Sequence, residues 1–94
     1  MGGRRDQLEV IADILRAALK GASKTRIMYR ANLNFSRVNR YLAELLEMGL
    51  VSLEKAPGGG TIYRTTEDGK TFLRIVMRKG RRSALKLRYR PSRL

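Results

Sequence analysis

A chain of 94 residues with 43% hydrophobic content holds one domain and one small core, not two. It has no cysteine and no histidine, which excludes disulfides, thiolate metal sites and the commonest general base and metal ligand. Lysine and arginine number 21 against 8 acidic residues, a formal net charge of +13, and such a field favours a polyanion as partner.

The charge is uneven. Eight basic residues and no acid lie between Arg78 and Leu94. No apolar run reaches the length of a membrane span. Met1-Gly2-Gly3-Arg4-Arg5 leads into an amphipathic pattern rather than a leader's apolar segment. A soluble cytoplasmic protein with no membrane partner, no metal and no cofactor is expected.

The spacing predicts a first helix from Arg5 to Lys20. Leu8, Ile11, Leu15 and Ala18 form its apolar stripe, widened by Ile14 and Leu19. Asp6, Glu9 and Asp13 lie early and Arg16 and Lys20 late, as the helix dipole favours. Gly21 ends it. Ser23 caps a second helix running to about Ala31, which buries Ile27 and Met28. Tyr29 is read as core, with a hydroxyl contact to phosphate as the alternative.

A sharp turn at Asn32-Leu33-Asn34 follows, and Asn34 is a good N-cap for a third helix that stops at Gly49. Val38, Leu42, Leu45 and Leu46 face a core, with Phe35 at the start of that face and Tyr41 at its edge. Ser36, Arg37, Asn39 and Arg40 share the other side of its first turns. Arginine can pair with guanine and asparagine with adenine through two hydrogen bonds each, so a donor-rich start to a second helix is what a helix-turn-helix puts into the major groove. Glu44 and Glu47 repel phosphate, so contact should end near Arg40. Lys24 and Thr25 stand at a helix N-terminus, where backbone N–H groups favour phosphate.

After Gly49 the period becomes two. Leu50–Lys55 and Thr61–Thr65 read as a hairpin, with Val51, Leu53 and Ile62 inward and Ala56-Pro57-Gly58-Gly59-Gly60 as its turn. Lys55 and Arg64 flank the tip of this wing and can reach phosphates. The three glycines lack the lysine, the hydroxyl residue and the strand–loop–helix context of a nucleotide-binding loop.

Thr65-Thr66-Glu67-Asp68 opens the last helix, which runs to about Lys79. Its stripe of Phe72, Leu73, Ile75 and Val76 either closes the core over the first helix or forms a dimer interface. Beyond Gly80, Leu85, Leu87 and Tyr89 alternate with Lys86, Arg88 and Arg90, as in a strand or in a basic arm that orders on DNA. Arg78, Lys79, Arg81, Arg82, Lys86, Arg88, Arg90 and Arg93 are expected to bind phosphates without reading sequence. The division is a DNA-binding domain over residues 1–79 and a basic tail over 80–94.

The run LEVIADILRAALKGASKTRIMYRANLNFSRVNRYLAELLEMGLV, with YRTTEDGKTFL after it, resembles the small archaeal winged-helix DNA-binding proteins, which include transcription regulators and ten-kilodalton nucleoid-associated proteins. The resemblance covers about Arg5 to Val76. It implies a mainly α winged helix-turn-helix of three helices, a two-stranded wing and a C-terminal helix. It also implies duplex DNA binding in the nucleoid, through Ser36, Arg37, Asn39 and Arg40 and a wing from Lys55 to Arg64; Asn34 is expected to assist, and no catalysis is expected. In the nucleoid proteins a long C-terminal helix forms an antiparallel coiled coil between two subunits; here Gly80 and the basic tail stand where it would continue. An RNA-binding and a protein-interaction winged helix are the alternatives. An enzyme is not indicated, because no pair of acids sits with a plausible nucleophile.

Overall fold

The computed structural model describes residues 6–79. Its order is α1 (Gln7–Ala17), α2 (Lys24–Ala31), α3 (Phe35–Met48), β1 (Val51–Lys55), β2 (Thr61–Thr65) and α4 (Glu67–Lys79). This is the winged helix-turn-helix architecture expected from the sequence. No described helix is long and apolar enough to cross a membrane.

Each helix starts on a side-chain cap that satisfies a backbone N–H orphaned in the first turn. Asp6 accepts from Glu9 N at 3.0 Å, Ser23 from Arg26 N at 3.2 Å, and Asn34 from Arg37 N at 2.8 Å. The Asp6 cap sets the start of α1 two residues later than the spacing predicts. Ala18 caps its other end, three residues early, because the chain must turn there to lay Ala22 against β2.

That turn makes a contact the sequence hides. Ala22 and Tyr63 exchange backbone hydrogen bonds of 2.9 and 2.8 Å, so the α1–α2 connection acts as a short third strand beside the hairpin. It also covers Tyr63. The inward set of the wing is therefore Val51, Tyr63 and Thr65, while Ile62 is half-buried and Leu53 is exposed. The register pairs Leu53 with Tyr63, but β1 leaves the helical body after Val51 and nothing covers Leu53 there. The expected inward roles of Leu53 and Ile62 are corrected on this point.

The core joins Val10, Ile11, Ile14 and Leu15 of α1, Ile27 of α2, Val38, Leu42 and Leu45 of α3, Leu50, and Phe72, Leu73 and Val76 of α4. α4 packs on α1. Phe72, Leu73 and Val76 are thus buried within this chain, so the stripe closes the core over the first helix. Ile75 is half-buried, and Met77 is exposed.

The junction of hairpin and α4 is tightly built. Thr66 caps α4, accepting from Gly69 N at 3.0 Å and donating to Gly49 O at 2.6 Å. The first turn of α4 lies so close to Leu50 that a Cβ on Gly69 would stand 2.2 Å from the Leu50 carbonyl oxygen. The buried hydroxyl of Thr65 donates to Leu15 O at 2.7 Å, satisfying a carbonyl that the end of α1 leaves without a helical partner.

Candidate nucleic-acid interface

The turn between α2 and α3 fixes the surface. Asn32 ends α2 in the left-handed conformation, at φ 57°, which asparagine tolerates better than other side chains. Leu33 then points inward and is buried with Val38. A hydrophobic residue before the N-cap packed with one four positions into the helix pins the chain's entry angle. Leu33 therefore occupies the core position that periodicity assigns to Phe35. Phe35 turns outward instead, 59% exposed.

Tyr29 is also on the surface, at 75% exposure, against its reading as core. α2 spans 8 residues and buries Ile27 and Ala31. Tyr29 stands two positions from each, about 200° around the helix and so on its far side.

Lys24 ties the two helices together across this face. Its ammonium donates to Asn39 Oδ1 at 2.5 Å and lies 5.3 Å from the centre of the Phe35 ring. Asn39 is half-buried, and its oxygen already accepts from Lys24. Arg37 lies 6.0 Å from the ring centre of Tyr41, one turn further along α3. Thr25, Asn34, Ser36, Arg37 and Arg40 are exposed, and the side-chain oxygen of Asn34 also caps α3.

Sequence reasoning passed over Arg26 and Arg30, both exposed on α2 beside Tyr29. The signal was available: from Gly21 to Ala43 the chain carries Lys24, Arg26, Arg30, Arg37 and Arg40 and no carboxylate. Among the described residues no acid pairs with any of these five.

The wing is different. Lys55 is exposed at the end of β1. Arg64 donates through Nε and Nη2 to both carboxylate oxygens of Glu54, at 2.7 and 3.2 Å. That hydrogen bonding lowers the Glu54 carboxyl below its ordinary value and raises the Arg64 guanidinium. Arg64 also lies back toward Gly21, not at the tip of the wing. Its charge is balanced within the hairpin.

Arg78 and Lys79 belong to the last turn of α4, but their side chains lie outside the described residues, as do Arg81, Arg82, Lys86, Arg88, Arg90 and Arg93. Among the described residues no group of histidine, cysteine or carboxylate side chains could hold a metal ion.

Comparison with known proteins adds three findings. A family profile described as winged helix-turn-helix matches residues 4–83. An uncharacterised protein of Methanocaldococcus jannaschii is 37% identical over 68 residues, which cover 71% of this chain and 65% of that relative, so the chain spans about two thirds of its length. The crystal structure of Sso10a-2, a DNA-binding protein from Sulfolobus solfataricus, superposes with a TM-score of 0.65 at 29% identity, covering 88% of this chain and 92% of that one.

Proposed function

The chain belongs to the winged helix-turn-helix family, and from that premise we propose that it binds double-stranded DNA without catalysing a reaction, with the start of α3 in the major groove. The observation that carries this reading is the surface of α2 and α3, where no acid among the described residues pairs with Lys24, Arg26, Arg30, Arg37 or Arg40. The similarity to a DNA-binding protein of the same fold supports it.

Residue roles follow from position. Arg37 and Arg40, with Ser36, reach base edges or the phosphates beside them. Asn39, whose oxygen already accepts from Lys24, offers its amide N–H groups to guanine, thymine O4 or a phosphate oxygen. Thr25, Arg26, Tyr29 and Arg30 line the strand of phosphates that α2 crosses. Lys55 serves the wing. The basic residues from Arg78 to Arg93 add phosphate contacts without reading sequence. Glu44 and Glu47 close the footprint along α3.

Self-association is proposed through what α4 leaves outside the core. Leu19 of the α1–α2 connection and Lys70, Leu73, Arg74 and Met77 of α4 line an open groove. Sedimentation equilibrium in moderate salt tests this; a monomer at high micromolar concentration ends it. Whether the protein acts as a regulator at discrete sites or as a chromatin protein in the nucleoid is decided by footprinting on genomic DNA.

The test of the function itself is a salt series with competing nucleic acids. Each neutralised phosphate on duplex DNA steepens log affinity against log salt by about 0.9. A steep slope on duplex DNA, undisturbed by excess structured RNA, is expected. Preference for the RNA would transfer the reading to an RNA-binding winged helix, and weak binding to both at moderate salt would favour a protein partner.

A further inference from the structure

We infer that Phe35, together with Asn39, recognises thymine, with Phe35 reading the C5-methyl group and Asn39 donating to O4. The inference rests on the duplex-DNA reading above and names a base that this surface selects.

A large apolar ring on the surface needs a reason, and folding does not supply one. Leu33 and Val38 already fill the turn's share of the core. Phe35 is 59% exposed. Nor does it hang free. The Lys24 ammonium, 5.3 Å from the ring centre, holds one face, and the same ammonium is bound to Asn39. Phe35 and Asn39 are one helical turn apart on the flank of α3 nearest α2. A single cation thus fixes an apolar ring and an amide side by side.

The pair matches what one base displays. In the major groove thymine is the base that offers a methyl group, and beside it lies the O4 acceptor. Phe35 supplies apolar surface. Asn39, whose oxygen already accepts from Lys24, supplies N–H donors. Adenine asks the amide for a donor and an acceptor together, and the Lys24 ammonium competes for that acceptor. Within the first two turns of α3 the other apolar side chains are turned away: Val38 is buried, and Tyr41 is half-buried beneath Arg37. Phe35 is therefore the one apolar group there that can meet a methyl.

The experiment compares a mixed-sequence duplex with the same duplex in which deoxyuridine replaces every thymidine, so that only the methyl groups are lost. Fluorescence anisotropy is read for the full chain and for Phe35→Ala and Phe35→Leu, with melting curves to confirm that the variants fold. Wild type should bind the uracil duplex about three- to fivefold more weakly, the effect of one buried methyl. Phe35→Ala should bind both duplexes equally, and Phe35→Leu should keep part of the difference. Equal wild-type binding to the two duplexes, or a difference that survives in Phe35→Ala, overturns the inference and leaves duplex binding standing. Binding to neither duplex overturns both. Tighter binding to the single strand than to the duplex, lost in Phe35→Ala, would make Phe35 a stacking platform for unpaired bases and overturn the thymine reading.

Discussion

The α2–turn–α3 segment and the hairpin with its α4 junction are both rich in polar side chains, yet they use them in opposite directions. Around α2 and α3 no acid among the described residues pairs with the cations, Tyr29 and Phe35 face solvent, and the main cross-link, Lys24 to Asn39, arranges the surface. Around the hairpin the polar groups turn inward on the chain itself. Arg64 is held by Glu54, Thr65 by the end of α1, Thr66 by Gly49, and Gly69 lies against Leu50. One region turns its polar groups outward, and the other uses them to bind its own elements together. The same residue type therefore means different things in the two places: an arginine on α3 is a candidate contact, and the arginine of β2 is a brace. Substitutions should separate accordingly, with stability changing on one side and affinity on the other.

The largest effect should come from Gly69→Ala. The added methyl would meet the Leu50 carbonyl oxygen at 2.2 Å and Thr65 Cγ2 at 2.6 Å. Backbone cannot step aside as a flexible side chain can, so α4 must shift off the hairpin. A loss of roughly 3 kcal/mol or more is expected from overpacking at such a site, measured by urea unfolding. Thr65→Val should follow. It keeps shape and volume but leaves Leu15 O buried without its hydroxyl donor, which costs about 1–3 kcal/mol. For both variants, DNA affinity measured well below the melting temperature should stay near wild type. A large affinity loss in a folded Thr65→Val protein would erase the division between the two regions.

How far the sequence exposed these features depends on whether a feature is local. The caps at Ser23 and Asn34, the stop at Gly49 and the hairpin turn are decided by residues within one turn of each other, and they are read correctly from spacing. The end of α1 is not local, because Ala22 is drawn to Tyr63, some forty positions on, and that bridge also sets which residues of β2 face inward. Tyr29 and Phe35 fail for another reason. Aromatic side chains at helical spacing usually pack, but here Ile27, Ala31 and Leu33 had already filled the core, and only the three-dimensional count of occupants reveals it. Thr65 and Gly69 were invisible because their partners, Leu15 O and Leu50 O, are backbone atoms that no side-chain pattern reports. Of the proposed contact residues on α2 and α3, Lys24 and Asn39 are brought together, whereas Arg64 is turned back into the hairpin by a carboxylate that the strand pattern placed nearby without showing the pair.

Arg40→Ala tests the other region. The side chain is exposed and touches no acid among the described residues, so stability should move by no more than about 0.5 kcal/mol. Affinity should fall by about 1–3 kcal/mol if Arg40 reads a base. Anisotropy on several duplex sequences sharpens the role: a loss confined to some sequences marks a base contact, and a uniform loss marks a phosphate contact. Wild-type affinity on all of them would show that this face of α3 does not meet DNA.

The smallest effect, and the one most specific to the comparison, is expected from Glu54→Gln. The Glu54 carboxyl has its pKa lowered from 4.5, chiefly by the hydrogen bond from Arg64. A group with a lowered folded-state pKa contributes its stabilisation above the ordinary value and loses it as pH falls through the lower folded one. At neutral pH the pair is therefore fully formed, and Arg64 brings no net charge to the wing. Both side chains are exposed, so its contribution to stability is small and screened by salt. The substitution leaves the hairpin's register intact but removes the neutralising charge, leaving Arg64 free to act as a cation toward DNA. If the wing then lies along the backbone, the slope of log affinity against log salt should steepen by up to about 0.9, one additional phosphate contact. Wild-type protein should shift in the same direction as pH falls through the lowered folded-state pKa of Glu54 and its carboxyl becomes protonated. In Glu54→Gln combined with Arg64→Ala the extra slope should disappear. A slope that stays at the wild-type value in Glu54→Gln would place this part of the hairpin outside the DNA footprint, and the brace between Glu54 and Arg64 would then be purely structural.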